Sequence, residues 1–542
     1  MLILSFKGGH DGTLAAIDNG KLLFSLEAEK DSFPRYDRIT PELVTLAAKR
    51  LDRIPDAIAI SGWVKGFHSV ERQTEAGYYG WEESGIRHRS QNFMGKEVKV
   101  FSSTHERSHI LGAYGMSPYP QGQPVYCLVW EGNIGDFYEI DSNVVVHHVG
   151  RVLTDPGNKY SSLFMIGDPG FPPIKGHFRY EDAGKLMALA AYSDRAPATE
   201  DEQKLIDTIL GSDGLLLGRP KESYDWTPFY DIGVASTEFK NLAGKFSDAL
   251  FERFHAFARQ HLTKGYPLLI AGGCGLNCDW NTNWEDSGLF ESVFIPPCPN
   301  DSGSAIGTGI DAQHFLSGNA KIEWSVYAGD EFQDDVEGVP DGFSVHPLDI
   351  DTVAQFLEAG NVIAWVQGRY EIGPRALGHR SILAAPFSAD TTTRLNRIKN
   401  REGYRPIAPL CLEEDASALF GRERPSPYML HFSRVRDASL KAITHVDGSA
   451  RVQTVSRGST PALYDLLSAF KQRTGYGVLC NTSLNFNGRG FINRTSDLAE
   501  YCRDRELDGF VVGNRFYLGQ GRASGKPESA PHDAKAGSTI AV

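Results

Sequence analysis

The sequence predicts an α/β protein of more than one domain. Three observations lead there: a β-hairpin at the start, later short apolar strands alternating with helical segments, and 542 residues that are 41% hydrophobic and 23% charged. That length and composition provide for two to four ordinary globular cores.

The opening reads as strand (Leu2 to Phe6), a Gly-Gly-His-Asp-Gly turn, strand (Leu14 to Asp18), an Asn19-Gly20 turn and strand (Lys21 to Leu26). Asn-Gly between apolar runs favours the two-residue hairpin turn, because both positions tolerate positive φ. No basic leader precedes the first strand, so it is read as structure rather than as a signal peptide. The runs PVYCLVW, SVFIPP and YPLLIAG are further strands, and their alternation with helices implies layered α/β packing. Residues 195–235 are polar and read as an irregular insertion. The acidic stretch 329–343 reads as a linker. A second α/β unit begins near Asp349. Within it a helix from Pro461 to about Thr474 is expected, with Thr460 as N-cap, Gly475 past its end, and Leu463, Leu466, Leu467 and Phe470 facing the core. The boundaries are thus 1–345, 346–522 and a Ser/Gly/Pro/Ala-rich tail, 523–542, expected to be disordered. No internal repeat is legible.

A net charge of -13 opposes a large phosphate-backbone footprint and excludes nucleic acid as the expected substrate. No apolar run approaches membrane-spanning length. The seven cysteines are scattered, and Cys274 and Cys278 have no second closely spaced pair to complete a zinc site; reduced core thiols in a cytoplasmic protein are expected.

Four groups of residues carry possible chemistry. His105-Glu-Arg-Ser-His109 opens a helix predicted from Ser103 or Thr104, and residues four apart share a helical face, so both imidazoles reach one ion. Chance histidines give the same spacing. Glu131 at a strand end and Asp301 between a strand and a helix add carboxylates, although Asp301 also reads as a helix N-cap. Two histidines with one or two carboxylates suit iron(II), manganese or zinc. Gly8-Gly9-His10-Asp11-Gly12 and Gly272-Gly273-Cys274-Gly275-Leu276-Asn277 are turns that let backbone approach phosphate; His10 is there either a base or a stabiliser of its turn. In the C-terminal unit, Arg375, His379, Arg380, Lys399, Arg401, Arg405 and Arg451 sit in Gly/Pro-bounded loops with Ser483 and Asn485 nearby. They read as a polyphosphate site or as solvated surface charge.

These motifs, HERSH, AGKLMALAAY (183–192), AGGCGLNC (271–278), GPRALGHRS (373–381), REGYRP (401–406), HVDGSARVQTV (445–455) and NTSLN (481–485), in this order, resemble the O-carbamoyltransferases of nodulation-factor and antibiotic biosynthesis. HERSHI, LVWEG and GGCGLNCDWN are most similar to the branch that carbamoylates the hydroxymethyl group of cephem antibiotics. The resemblance covers nearly the whole chain, from His10 to about Leu518. It implies an N-terminal actin-like ATPase (ASKHA) type domain and a C-terminal YrdC-like α/β domain. It further implies that carbamoyl phosphate and ATP, with Mg²⁺, give carbamoyl-adenylate in the second domain, and that a small-molecule hydroxyl is carbamoylated in the first. Residue by residue it implies His105, His109 and Asp301 as Fe²⁺ ligands, with Glu131 where an aspartate is usual. His10 would assist transfer. Arg375, Lys399, Arg405, Arg451 and Ser483 would hold carbamoyl phosphate and ATP, joined in the nucleotide-binding set by Gly272, Gly273, Asn277, Lys185 and Asn485. Lys399, Arg405 and Arg451 are the expected catalytic cations. Segments 62–95 and 195–235 are candidates for the acceptor pocket, and a homodimer is the default assembly. A tRNA-modifying enzyme of the same two domains and a non-catalytic nucleotide-binding scaffold are the alternatives.

Overall fold

A computed structural model describes residues 1–64, 73–171, 179–212 and 220–520. The tail 523–542 and parts of the two acceptor-pocket segments lie outside the described residues.

The first sheet is built from β1 (Leu2–Lys7), β2 (Thr13–Asp18), β3 (Lys21–Glu27), β4 (Ala57–Ser61), β5 (Arg87–Phe93) and β6 (Lys96–Ser103), in the order β3-β2-β1-β4-β6-β5. Asn19 and Gly20 both take positive φ (47° and 82°), as the hairpin required. The second sheet contains β7 (Val125–Trp130), β8 (Gly135–Ile140), β9 (Val146–Arg151), β10 (Leu268–Ala271) and β11 (Val293–Phe294), in the order β9-β8-β7-β10-β11.

The two sheets repeat one plan. In each, three antiparallel strands are followed by two that run parallel to the first, and the first sheet adds β5 as an antiparallel edge strand. A helix follows the last strand each time: α1 (His105–Met116) after β6 and α2 (Ser304–Ser317) after β11. The repeat missing from the sequence therefore exists in topology. The two helices cross between the sheets at Gly112 and Gly307. A Cβ on Gly307 would stand 1.8 Å from the Ser108 carbonyl oxygen, so only glycine permits this approach.

Residues 195–235 are more regular than expected. Helix Glu200–Leu210 starts with a capping box between Thr199 and Glu202 and buries Leu205, Ile206, Ile209 and Leu210 in the core beneath the second sheet.

The third sheet is C-terminal: β12 (Phe343–Pro347), β13 (Ile363–Val366), β14 (Arg380–Ala384), β15 (Ala408–Leu412), β16 (Gln453–Val455), β17 (Val478–Ser483), β18 (Gly509–Val512) and β19 (Arg515–Gly519). Its order is β12-β19-β18-β13-β14-β17-β15-β16, with parallel and antiparallel neighbours mixed. Helix α3 (Pro461–Thr474) packs on it through Leu463, Leu466, Leu467 and Phe470, and Gly475 closes it at φ 83°. Thr460 precedes this helix but its side chain makes no capping bond; its backbone carbonyl starts the helix by accepting from Tyr464 N (2.9 Å). The acidic stretch 329–343 is tied to the third sheet's unit, with Gln333 N donating to Asn493 O (2.9 Å) and Asp334 pairing with Arg515 (2.6 Å).

Candidate functional site

Every residue of α1 is buried, so its polar side chains need partners inside the protein. Thr104 caps the helix by accepting from Arg107 N (3.1 Å). Arg107 forms a two-pronged pair with Asp311 of α2 (2.9 and 2.7 Å), and Glu106 accepts from Gly80 N (2.6 Å) and the Tyr138 hydroxyl. That leaves His105 and His109, one turn apart, whose Nε2 atoms face each other at 3.1 Å.

Two carboxylates close on the same point. Glu131, in the β7–β8 turn, lies 3.4 Å from His105 Nε2 and 3.5 Å from His109 Nε2. Asp301, after β11, lies 3.4 Å from each. Asp301 caps no helix through its side chain, so the N-cap reading does not hold. One donor atom from each of the four residues fits within 4.8 Å of all the others, and all four residues are buried. Burial would deprotonate His109, but Asp301 and Glu131 outweigh it and hold its pKa up to about 9. Burial likewise opposes ionisation of Glu131, yet His105 and His109 bring it down to about 2. The cluster thus calls for positive charge at its centre, and its N₂O₂ donors fit a divalent transition metal.

Supporting groups surround the four. The Tyr78 hydroxyl donates to Glu131 (2.6 Å), and Lys7, fully buried at the end of β1, pairs with Asp301 (2.9 Å). Lys7 also donates to the His10 carbonyl and lies over the Trp63 ring. The His10 ring meets Asp11 at 2.7 Å and stands 3.7 Å from Asp301, with Tyr180 beside it (ring centroids 4.9 Å apart). His10 is partly exposed at the edge of the four-residue cluster.

Gly272 takes φ 94°, and a Cβ there would stand 2.4 Å from the Trp130 carbonyl oxygen, so it lets this loop press against Glu131. Gly273 faces open space. The Asn277 amide oxygen caps helix Cys278–Asp286, while its Nδ2 is buried without a hydrogen-bond partner. Lys185 pairs with Asp182 (3.2 Å) and lies 3.5 Å from Glu402 of the C-terminal unit.

The C-terminal cations form a second centre. Buried Lys399 donates to the Ser483 carbonyl (2.6 Å) and to both oxygens of Asn485 (2.9 and 2.7 Å), and Ser483 Oγ donates to Asn485 Oδ1 (2.6 Å). Burial and then the neighbouring Arg401, Arg405 and Arg35 push the Lys399 pKa far down. Arg375 donates to Leu276 O (3.0 Å), and burial followed by Arg451 disfavours its charge. The Nε atoms of Arg375 and Arg451 are buried without a hydrogen-bond partner. These are not solvated surface cations. Arg401, which opens the REGYRP motif and was read in this group, lies here, and so does Arg35, which the sequence reading missed. His379 and Arg380 do not join it: His379 stacks on Tyr327, and Arg380 is spent on Asn493 and carbonyls.

Comparison with known proteins decides the family. The carbamoyltransferase C-terminus model matches residues 354–518, and the carbamoyltransferase N-terminus model matches 92–214 and 242–310. A 3'-hydroxymethylcephem-O-carbamoyltransferase from Amycolatopsis lactamdurans is 51% identical over 95% of this chain and 99% of its own length. The chain belongs to the carbamoyltransferase family. The enzyme of the same description from Streptomyces clavuligerus is 50% identical to this carbamoyltransferase over 95% of the chain and 99% of its own length. Nodulation protein U of Bradyrhizobium diazoefficiens is 34% identical over 93% and 95%. Among solved structures, an archaeal actin homolog, Ta0583, aligns with 58% of this carbamoyltransferase and 100% of itself, at 11% identity and a TM-score of 0.27.

Proposed function

We propose that this carbamoyltransferase makes carbamoyl-adenylate from carbamoyl phosphate and ATP at the C-terminal cation centre and then carbamoylates the hydroxymethyl group of a cephem-type small molecule beside His10. The observation that carries the reading is the cation centre itself. Buried cations that repel one another are costly unless a polyanion joins them, and ATP with carbamoyl phosphate supplies that charge. Identity of about one half to two cephem carbamoyltransferases supports the acceptor class.

In the first stage carbamoyl phosphate loses phosphate to water, and an oxygen of the resulting carbamate attacks the α-phosphorus of Mg²⁺-bound ATP, releasing pyrophosphate. Lys399, Arg375, Arg405 and Arg451 would offset the phosphate charge and align the groups, with Ser483 and Asn485 fixing Lys399. Carbamate decomposes readily, which favours a burial that excludes bulk water. In the second stage the acceptor hydroxyl attacks the carbamoyl carbon, AMP leaves, and His10 accepts the hydroxyl proton while Asp11 orients its ring. His105, His109, Glu131 and Asp301 would hold Fe²⁺ or another divalent transition metal, which supplies Lewis-acid stabilisation of donor oxygens when bound.

Incubation with ATP, Mg²⁺ and carbamoyl phosphate, without acceptor, tests the first stage by mass spectrometry. Carbamoyl-adenylate and pyrophosphate are expected only when all three are present. Their absence, both alone and with a hydroxymethyl cephem added, would refute the reading.

A further inference from the structure

The segment from the end of β3, residues 27–37, runs from the N-terminal unit onto the C-terminal one. Asp31, Ser32 and Tyr36 all take positive φ there (64°, 64° and 62°). Non-glycine residues hold that conformation when surrounding structure compels it. The compulsion comes from the C-terminal unit. Ser32 N donates to Phe491 O (3.0 Å), Arg35 N to Gly488 O (3.0 Å) and Gly490 N to Phe33 O (2.9 Å), while Arg494 pairs with Asp31. On the other flank Gly373 N donates to Glu27 (2.6 Å), and Lys30 donates to Gly373 O (2.9 Å).

The loops gripping this strap carry the cation centre: 373–375 bears Arg375, and 485–490 begins with Asn485, which holds Lys399. Arg35 is therefore delivered between them. Its Nε pairs with Glu29 (3.3 Å), which Lys30 also meets (3.2 Å), and Lys30 pairs with Glu27 as well (3.1 Å), so the two carboxylates offset these two cations. About a third of the Arg35 side chain is exposed. The backbone contacts set Arg35 beside the loops that bear Arg375 and Asn485, and its charge disfavours those of Arg375, Lys399 and Arg405.

We propose that Arg35 is a phosphate-binding residue that the N-terminal unit contributes to the C-terminal anion site, so that the site is complete only when the two units are docked. The proposal rests on reading the cation centre as a phosphate site. Among the described residues the Arg35 Nη atoms make no hydrogen bond, and a planar guanidinium suits phosphate better than the point charge of lysine.

Tripolyphosphate binding to the full chain, measured by calorimetry at fixed ionic strength, is the test. R35Q is expected to weaken binding at least tenfold, about 1.4 kcal/mol, and R35K to recover part of the loss. Binding by R35Q within twofold of the unaltered protein, or no binding by the unaltered protein, would overturn the proposal. If R35Q does not fold, R35K decides alone: threefold or greater weakening supports the proposal, and unchanged binding overturns it. Carbamoyl-phosphate-dependent ATP–pyrophosphate exchange separates this idea from the reaction it rests on. No exchange by the unaltered protein, with Arg35-dependent tripolyphosphate binding, sinks the adenylation reading and leaves Arg35 standing. Normal exchange with unchanged KM values in R35Q sinks the Arg35 role and leaves adenylation standing.

Discussion

Glu131, one methylene longer than the aspartate that the resemblance implies, serves two partners. One oxygen faces both histidines while the other accepts the Tyr78 hydroxyl. Glu131→Asp would pull the carboxylate back and strand a buried phenol. We expect metal affinity to fall by roughly 10–100-fold, measured by titrating Fe²⁺ or Zn²⁺ into metal-free protein; tighter binding would show that the glutamate is the compromise. For His10→Ala the expectation is unaltered carbamoyl-phosphate-dependent exchange, with transfer to acceptor slowed by about 10²–10⁴-fold. Equal loss of both steps would make His10 a prop for its turn. That these four residues can converge was legible in the sequence, because histidines four apart share a helical face and both carboxylates follow strands. Lys7 was not, since a lysine ending a strand usually points to water, and only the fold shows it buried against Asp301.

Among the elements, the turn at Gly272 has little freedom. Gly272→Ala combines a positive φ with a Cβ 2.4 Å from the Trp130 carbonyl oxygen, so a loss of about 1–3 kcal/mol is expected, visible as a lower Tm together with weakened metal binding. A lowered Tm with full metal affinity would mean that the strain stays local and does not reach Glu131. The N-terminal hairpin and α3 were readable because Asn-Gly, Pro and Gly each act through backbone geometry alone. The helix Glu200–Leu210 was passed over despite its capping box, because the polar residues around it masked an apolar face of four residues. Thr460 shows the reverse: a suitable residue type in the right place, whose hydroxyl makes no cap.

Across the whole molecule, the contact between the two units includes a histidine with a marked pH consequence. His431 is buried and lies beside Arg422, and its pKa is pushed down to about 3. Glu285, 3.9 Å away, is already engaged by Arg422 at 3.0 Å. The unfolded chain takes up a proton below about pH 6.5 and the folded protein does not, so stability falls as pH drops from there towards 3. Each pH unit in that window costs about 1.4 kcal/mol. His431→Gln should flatten this part of the stability profile; an unchanged difference in Tm between pH 7 and pH 4.5 would show that His431 plays no part. The duplicated topology of the first two sheets was invisible in the sequence, because strand order and direction survive where side-chain identity does not. The C-terminal centre was visible as chemistry, but Arg35 reaches it from hundreds of residues away, which no local motif can signal.

The crossing of α1 and α2 has a consequence for ion choice. Each helix lies just after a strand of its own sheet, and between them they fix where His105, His109 and Asp301 stand. At Gly112 and Gly307 no side chains intervene to repack, so the gap between the helices works like a gauge block of set width. For the metal proposed at these residues, that set spacing would make ionic radius the criterion of acceptance.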